Sequence, residues 1–256
     1  MRIATYNIWN DDCGGEARQR HIVEEINAVQ ADVIGLQEVA PAVYHDLLAD
    51  LYPYSVFRAY AGEDEGLAIL SKHPILEITW LHECAEHDNS AGLNVVLAVQ
   101  ERRISFMNLH LPWDSAIQKE RQIVAIDRFM HDQEADVHVL LGDFNGSLNS
   151  SVHRYLVGEQ SLLACEAKPY WYELSSTYAF VHGLPLASTL DFVKNPRWAS
   201  RNNTEIPYAA DRIYVMYHES MDDLRQVSLF GTSESPESGY AASDHYGVVA
   251  DIIFGL

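Results

Sequence analysis

The feature that most constrains the fold of this chain is a short internal repeat. Residues 2–8 read RIATYNI and residues 103–109 read RISFMNL, an offset of 101 positions. The similarity continues at an offset of 104, where Ala31-Asp32-Val33 matches Ala135-Asp136-Val137. Each half therefore predicts the same order of elements: a strand, a loop, a helix, an Ala-Asp pair and a second strand.

Hydrophobic periodicity supports the elements of the repeat. Their strands are apolar and rich in β-branched residues, which is typical of strands buried between two layers. Apolar residues recur at helical spacing in both helices, and these residues are Ile22, Ile26 and Val29 in the first and Ile123, Ile126 and Met130 in the second. We expect Asp114 to cap the second helix. Further strands are predicted at 65–71, 75–82, 92–100, 211–216 and 246–254.

Two βα-type halves with many added strands predict an α+β fold with an internal two-fold repeat. The predicted architecture is a four-layer αββα sandwich, in which two mixed β-sheets pack face to face and helices flank them. No linker rich in Pro, Gly or Ser divides the chain, so residues 1–256 are predicted to form a single domain. The proline-containing segment 158–210 is predicted to form long loops, which often carry function.

Charge and cysteine content restrict the partners of the protein. The chain has 37 acidic and 17 basic residues, a formal net charge of −20, and such a surface repels polyanions unless a metal ion or local patch compensates. The 3 cysteines are widely spaced, which indicates neither a disulfide framework nor a zinc knuckle. The N-terminus lacks an apolar signal region, and no run approaches a membrane span. We expect a cytoplasmic protein without stable membrane insertion.

Six polar motifs lie at the ends of the predicted strands. In chain order they are Thr5-Tyr6-Asn7-Ile8, Leu36-Gln37-Glu38-Val39, Asn108-Leu109-His110-Leu111, Gly142-Asp143-Phe144-Asn145, Asp211-Arg212-Ile213 and Ser243-Asp244-His245-Tyr246-Gly247. Together they resemble the endonuclease/exonuclease/phosphatase superfamily of DNase I-like, metal-dependent phosphoesterases. The resemblance runs from residue 5 to residue 247 and implies the four-layer fold and a hydrolase that acts on phosphate esters.

Glu38 is the first candidate metal ligand. A carboxylate at a strand end is a hard oxygen ligand that suits Mg²⁺ or Mn²⁺ rather than zinc, although such an acid can also pair with an arginine or a backbone amide. The resemblance implies that Asn7 bridges Glu38, the metal and a phosphate oxygen, and that Asp244 lies near the metal. Some nuclease members carry a further acid two residues after the Asn7 motif, where this chain has Trp9.

Asp143 and Asn145 are the central catalytic candidates. Their spacing lets both side chains face one cavity, where the carboxylate activates water and the amide donates to a phosphoryl oxygen, although an Asx turn uses the same spacing. A carboxylate that accepts a hydrogen bond from imidazole fixes its tautomer, and the resemblance implies that Asp211 does this for His245. His110 is interpreted as a phosphate contact.

A basic cluster of Lys194, Arg197 and Arg201 is the candidate for binding substrate phosphate, with Arg102 and Arg103 as further cations. Trp171, Trp198 and Tyr208 are aromatic candidates for stacking on a base or sugar.

So few clustered cations predict a small or short phosphodiester or phosphomonoester. A nuclease acting on DNA or RNA, a sphingomyelinase-like lipid phosphodiesterase and a non-catalytic binding protein remain alternatives.

Overall fold

The computed structural model of the protein describes residues 1–81, 92–198, 204–218 and 222–255. The strands of this part of the chain are β1 (Arg2–Asn7), β2 (Val33–Val39), β3 (Tyr54–Ala59), β4 (Gly66–Ser71), β5 (Ile75–Leu81), β6 (Gly92–Val99), β7 (Arg102–His110), β8 (Val137–Asp143), β9 (Trp171–Glu173), β10 (Asp211–Met216), β11 (Asp223–Phe230) and β12 (Gly247–Ile253). The helices are α1 (Gly15–Val29), α2 (Pro41–Val43, continued by a π-helical turn at Tyr44–Leu48), α3 (Ala116–Asp132), α4 (Ser151–Leu156) and α5 (Leu174–His182).

The strands form two open, mixed sheets of six strands each. The first has the order β11-β12-β1-β2-β4-β3 and the second has the order β5-β6-β7-β8-β10-β9. In each sheet a central parallel pair, β1 with β2 or β7 with β8, has antiparallel neighbours on both sides. The α+β sandwich with an internal repeat is therefore confirmed.

The register of the two parallel pairs reproduces the offsets of the sequence repeat. Ile3 pairs with Val33 in the first sheet, and Ile104 pairs with Val137 in the second. The aspartate of the Ala-Asp pair has the same role in both halves, where it starts the second strand beside the first: the Oδ2 atom of Asp32 accepts from the Arg2 amide at 2.8 Å. Asp136 accepts from the Arg103 amide in the same way at 2.7 Å.

Three apolar clusters hold the four layers together. The central one lies between the sheets and includes Phe106 and Val139. A second packs α3 and α4 against the outer face of one sheet, and a third packs α1 against the outer face of the other. The periodic residues predicted for the two helices are all buried in these outer clusters. Within the described residues, no helix is long and apolar enough to cross a membrane.

Several local predictions are wrong. Ser115, not Asp114, caps α3, because its hydroxyl accepts from the Gln118 amide at 3.3 Å. The segment 158–210 is not all loop, since β9 pairs with β10 and Glu173 caps α5 through its carboxylate. Trp171 is fully buried and donates its indole N–H to Asp127 at 2.7 Å, so it packs in the core and does not face a substrate.

Arg102 and Arg103 also differ from their predicted role. They begin β7, whereas His110 ends it, so they lie at the edge of the sheet opposite the candidate site. Arg103 pairs with Glu77, and Arg102 donates to the carbonyl of Phe254 at 3.5 Å. These cations therefore belong to the structure of the far edge and not to a phosphate track.

Candidate active site

Four central strands bring their polar ends to one edge of the sandwich. Asn7 ends β1 and Glu38 lies near the end of β2, while His110 and Asp143 end β7 and β8. Because β1 runs parallel to β2, and β7 to β8, these carboxyl ends meet where α/β sheets commonly place their sites. The repeat thus supplies two pairs of strand ends to a shared cleft.

Asn7 joins the two halves of the site. Its side-chain amide nitrogen donates to Glu38 Oε1 at 2.8 Å and to Asp143 Oδ2 at 3.1 Å, while its Oδ1 accepts from the Trp9 amide at 3.0 Å. The side chain is fully buried, so these contacts satisfy the amide and hold two carboxylates close together. In this arrangement the donor end of Asn7, not its oxygen, faces the carboxylates.

Two site residues have left-handed backbone conformations. Glu38 has a φ of 54° and Asn145 has a φ of 44°, values that non-glycine residues adopt at a cost of roughly 1–2 kcal/mol. Glu38 is held there by the Asn10 amide, which donates to its Oε2 at 3.0 Å. Asn145 is held by Asp143, whose Oδ1 accepts from the Asn145 amide at 2.8 Å. Such strain concentrates at functional sites, where it aims a side chain.

His245 lies between two carboxylates. Its Nδ1 is 2.9 Å from Asp211 Oδ2, as the resemblance implied, and its Nε2 is 3.9 Å from Asp143 Oδ2. Burial alone would lower the pKa of His245, but Asp211 and Asp143 raise it well above the ordinary value. The structure therefore favours an imidazolium at this position.

The opposite shift holds for Asp143. Burial alone would raise the pKa of this carboxyl, but His245 and His110, together with the N–H groups of Asn145 and Asn7, lower it below its ordinary value. The Nε2 atom of His110 lies 3.6 Å from Asp143 Oδ2 and 3.8 Å from Glu38 Oε1. An ionised Asp143 can accept a hydrogen bond from a water molecule and so orient it, which a general base must do before it takes the proton.

The donor set fits a divalent cation. The side chain of Glu38 is 21% exposed and faces the cleft, which Asp244 also lines. Burial, followed by the nearby charges of Glu38, Asp143 and Asp211, raises the pKa of Asp244 to about 6, although His245 opposes the shift. Acidic oxygen donors gathered at one place in this way suit Mg²⁺ or Mn²⁺.

Asp143, Asp211 and His245 also place donor atoms within 4.8 Å of one another. We do not assign the metal to this group, because the His245 ring lies between the two carboxylates and hydrogen-bonds Asp211. The imidazolium forms a hydrogen bond with Asp211 and lies at ion-pair distance, 3.9 Å, from Asp143.

The site opens into a cleft of about 810 Å³. Its acidic lining residues are Glu38, Glu63, Glu65, Asp114, Asp143, Glu205 and Asp244. Its apolar and aromatic lining residues include Pro112, Trp113, Leu190, Phe192, Trp198 and Tyr208. Among the described residues that line the cleft, none is lysine or arginine. Within this described lining, a substrate phosphate therefore meets histidines, amides and any bound cation.

The three residues of the predicted basic cluster differ in their surroundings. Lys194 is exposed, Arg197 is half-buried, and Arg201 lies outside the described residues. The guanidinium of Arg197 lies over the ring of Trp9 at 5.3 Å and donates to a backbone carbonyl through Nε at 2.9 Å. Trp198 does line the cleft, where its indole donates to the Asp244 carbonyl at 3.0 Å.

Sequence reasoning missed the residues that hold His245 and Asp211 in place. The Ser243 hydroxyl donates to the Asn7 carbonyl at 2.7 Å and accepts from the His245 amide at 3.1 Å. Thr189 Oγ1 accepts from the Asp211 amide at 3.0 Å. Ser243 begins the sixth polar motif, so its role could have been predicted from the sequence. Thr189 is an isolated threonine in a loop, and its sequence context does not indicate a role.

Comparison with known proteins identifies the family. The sequence profile described as "Endonuclease/Exonuclease/phosphatase family" matches residues 4–245. This range contains the first five polar motifs in full and the first three residues of the sixth. The chain belongs to this family, and it is a phosphoesterase, a hydrolase that acts on ester bonds.

Individual relatives have low sequence identity to this chain, but their alignments cover nearly all of it. An uncharacterized protein of Caenorhabditis elegans is 25% identical over 304 aligned residues, which cover 99% of this chain and 91% of that protein. The crystal structure of D. rerio TDP2 complexed with single strand DNA product has a TM-score of 0.80 at 16% identity and 99% coverage of both chains. The human Nocturnin catalytic domain with bound sulfate anion has a TM-score of 0.73 at 17% identity, covering 99% of this chain and 94% of that one. At these identities the two structures show a shared fold.

Proposed function

We propose that the protein is a Mg²⁺- or Mn²⁺-dependent phosphoesterase that hydrolyses a phosphodiester or phosphomonoester of small or short substrates. The observation that carries the proposal is the convergence of Asp143, His245 and Glu38 at one edge of the sandwich, with charges suited to a base, a cationic donor and a metal ligand. Family membership alone supports the reaction class but not the roles of these residues.

The protein residues divide the chemistry between them. Asp143 orients the attacking water and takes its proton, since its surroundings keep it ionised. The imidazolium of His245, fixed by Asp211, and the side chains of Asn145 and His110 stabilise charge on the phosphoryl oxygens. Asn145 Nδ2 donates one hydrogen to the Leu111 carbonyl at 2.9 Å and retains a second for the substrate.

The metal would be held by Glu38 and Asp244, with Asn7 keeping Glu38 in position and offering its oxygen after rotation of the amide. When bound, the ion supplies Lewis acidity and stabilises the leaving group. It also compensates the acidic lining, which would otherwise repel a phosphate ester.

The lining of the cleft supports a small or short substrate. A duplex track requires about six or more phosphate contacts, each made by a cation or an amide. No lysine or arginine is found among the described lining residues, and Arg197 already packs on Trp9. Trp198 and Tyr208 instead offer aromatic surface to the organic part of the ester.

A nuclease is the second candidate. The similar fold of D. rerio TDP2, whose crystal structure contains a single strand DNA product, favours it, as do the aromatic residues of the cleft. Aromatic side chains can stack on bases of a short single strand without a basic track.

A substrate panel tests the proposal. Purified protein is assayed with Mg²⁺ on bis-p-nitrophenyl phosphate, p-nitrophenyl phosphate, plasmid DNA, a short single-stranded oligonucleotide and phospholipid vesicles. We expect hydrolysis of a small ester at a rate that Asp143→Asn lowers by roughly 10²–10⁴ and that exposed Asp50→Asn leaves unchanged. Preferred cleavage of plasmid DNA or phospholipid contradicts the small-substrate proposal, and inactivity on every ester contradicts the proposed function itself.

A further inference from the structure

Two cations hold consecutive carbonyl groups behind the active site. The Lys119 ammonium donates to the Asn145 carbonyl at 2.5 Å, and the Arg212 guanidinium donates to the carbonyl of Gly146. Arg212 is completely buried and also donates to the Ala209 carbonyl through Nε at 3.0 Å. Neither cation is among the described residues that line the cleft, so neither is assigned as a direct substrate ligand.

The carbonyl that Lys119 binds belongs to a residue with a demanding geometry. Asn145 has a φ of 44° and lines the cleft, and its side-chain and backbone amides both donate to neighbouring groups. Without these contacts, the Asn145 backbone is free to move to the more populated region of negative φ, which would redirect its side chain. The position of the Asn145 amide therefore depends on what holds the backbone.

Lys119 reaches this position from the first turn of α3. Its side chain is half-buried, with Asp143 and Asp114 among the nearby charges. The one described hydrogen bond of the ammonium nevertheless goes to a neutral carbonyl oxygen, a weaker partner than a carboxylate, so we explain the contact by what it does for the loop.

We propose that Lys119 is a positioning residue that fixes the backbone of Asn145, and with it the amide that contacts the phosphoryl oxygen, while Arg212 fixes the next residue. This inference rests on the proposed function. It assigns a role to a residue of α3 that lies outside all six polar motifs.

A double-mutant cycle tests the proposal. In the wild-type background, we expect Lys119→Met to lower kcat about 10- to 100-fold, the loss associated with a small misplacement of a reacting group. KM should change by less than about threefold, since Lys119 is not among the described residues that line the cleft. In the Asn145→Ala background, Lys119→Met should lower kcat by less than about twofold, because the group that it positions is absent.

Two further variants separate positioning from general stability. Lys119→Arg should retain more activity than Lys119→Met, because it keeps a cationic donor. Lys168→Met, at an exposed lysine that pairs with Glu166, should match the wild type.

The outcomes separate this inference from the proposed function. If the wild type hydrolyses a phosphate ester but Lys119→Met has wild-type kcat, the inference is wrong and the proposed function stands. If the losses from Lys119→Met and Asn145→Ala multiply, Lys119 acts independently of Asn145 and the inference is also wrong. If the wild type hydrolyses none of the esters, the proposed function itself fails, and the inference is wrong with it.

Discussion

Asp143 on β8 and Asp211 on β10 pair directly opposite each other across two antiparallel strands, and the ring of His245 lies between their side chains. Two carboxylates in such proximity repel one another unless a cation intervenes. The imidazolium supplies that cation, and the sheet register fixes its distance from both acids. The imidazolium thus keeps Asp143 ionised where it lines the cleft.

Asp143→Asn and His245→Ala should each lower turnover by roughly 10²–10⁴, the range for positioned acid–base groups. The combined variant should lose far less than the product of the two single losses, because the residues act as a unit. The measurement is kcat on the best small ester of the panel, with folding checked by circular dichroism. A single variant that keeps more than about a third of the wild-type rate would show that its role is misassigned.

Stability should depend on pH through His153. Burial, followed by the charge of Arg212, lowers the pKa of His153 from 6.5 to about 4, while the imidazole bonds the Tyr214 hydroxyl at 2.9 Å. The unfolded chain takes up a proton near pH 6.5 and the folded chain does so only near pH 4, so this group's contribution to stability is lost as the pH falls through that window.

The test measures the Tm of the wild type and of His153→Gln at several pH values from pH 7.5 to pH 4.5 and compares the two at each pH. The advantage of the wild type should shrink as the pH falls, since glutamine does not titrate. A Tm difference that stays constant across this range would count against a neutral, buried His153.

Asn108 should matter for stability more than for chemistry. Its side chain donates to the carbonyls of Leu36 and Ala68, at 2.9 Å each, and accepts from Gln37 at 2.6 Å, so it links the two sheets. Asn108→Ala leaves these buried groups unpaired, and we expect it to lower the free energy of unfolding by about 2–3 kcal/mol. Urea denaturation measures this, with exposed Asn149→Ala as the control; equal stabilities for the two variants would refute the link.

The sequence predicted the fold well because the repeat carries long-range information. The offsets between its halves reproduced the register of both parallel pairs. It could not show how the halves diverge. Asn7 and Asn108 are equivalent in the repeat, yet Asn7 holds two acids of the cleft and Asn108 links the sheets. That difference arises from which neighbours each strand meets across the sandwich.

Edge strands and capping contacts were the least predictable parts. The half-exposed β11 lacks the apolar run that identifies a buried strand, and β9 is only three residues long. Among the site residues, Asp143 and His245 carried motif signals. Lys119 and Thr189 carried none, because they act through single contacts to backbone groups that only the fold brings near.

The rate should depend only weakly on salt. With few cations to release counterions, kcat/KM at fixed free Mg²⁺ should change by less than about tenfold between roughly 50 and 200 mM KCl, a span over which a many-contact DNA binder loses about 10³ or more. A steep fall, together with efficient cutting of long duplex DNA, would favour the nuclease alternative.

The most direct test of the metal-dependent mechanism is a Mg²⁺ titration of chelator-treated protein, following hydrolysis of bis-p-nitrophenyl phosphate or the best ester of the panel. For this mechanism we predict no turnover before metal is added, full recovery with Mg²⁺ or Mn²⁺, and, for Glu38→Ala, loss of activity with weakened metal binding by calorimetry. Full activity after exhaustive chelation, or restoration by zinc alone, would contradict it.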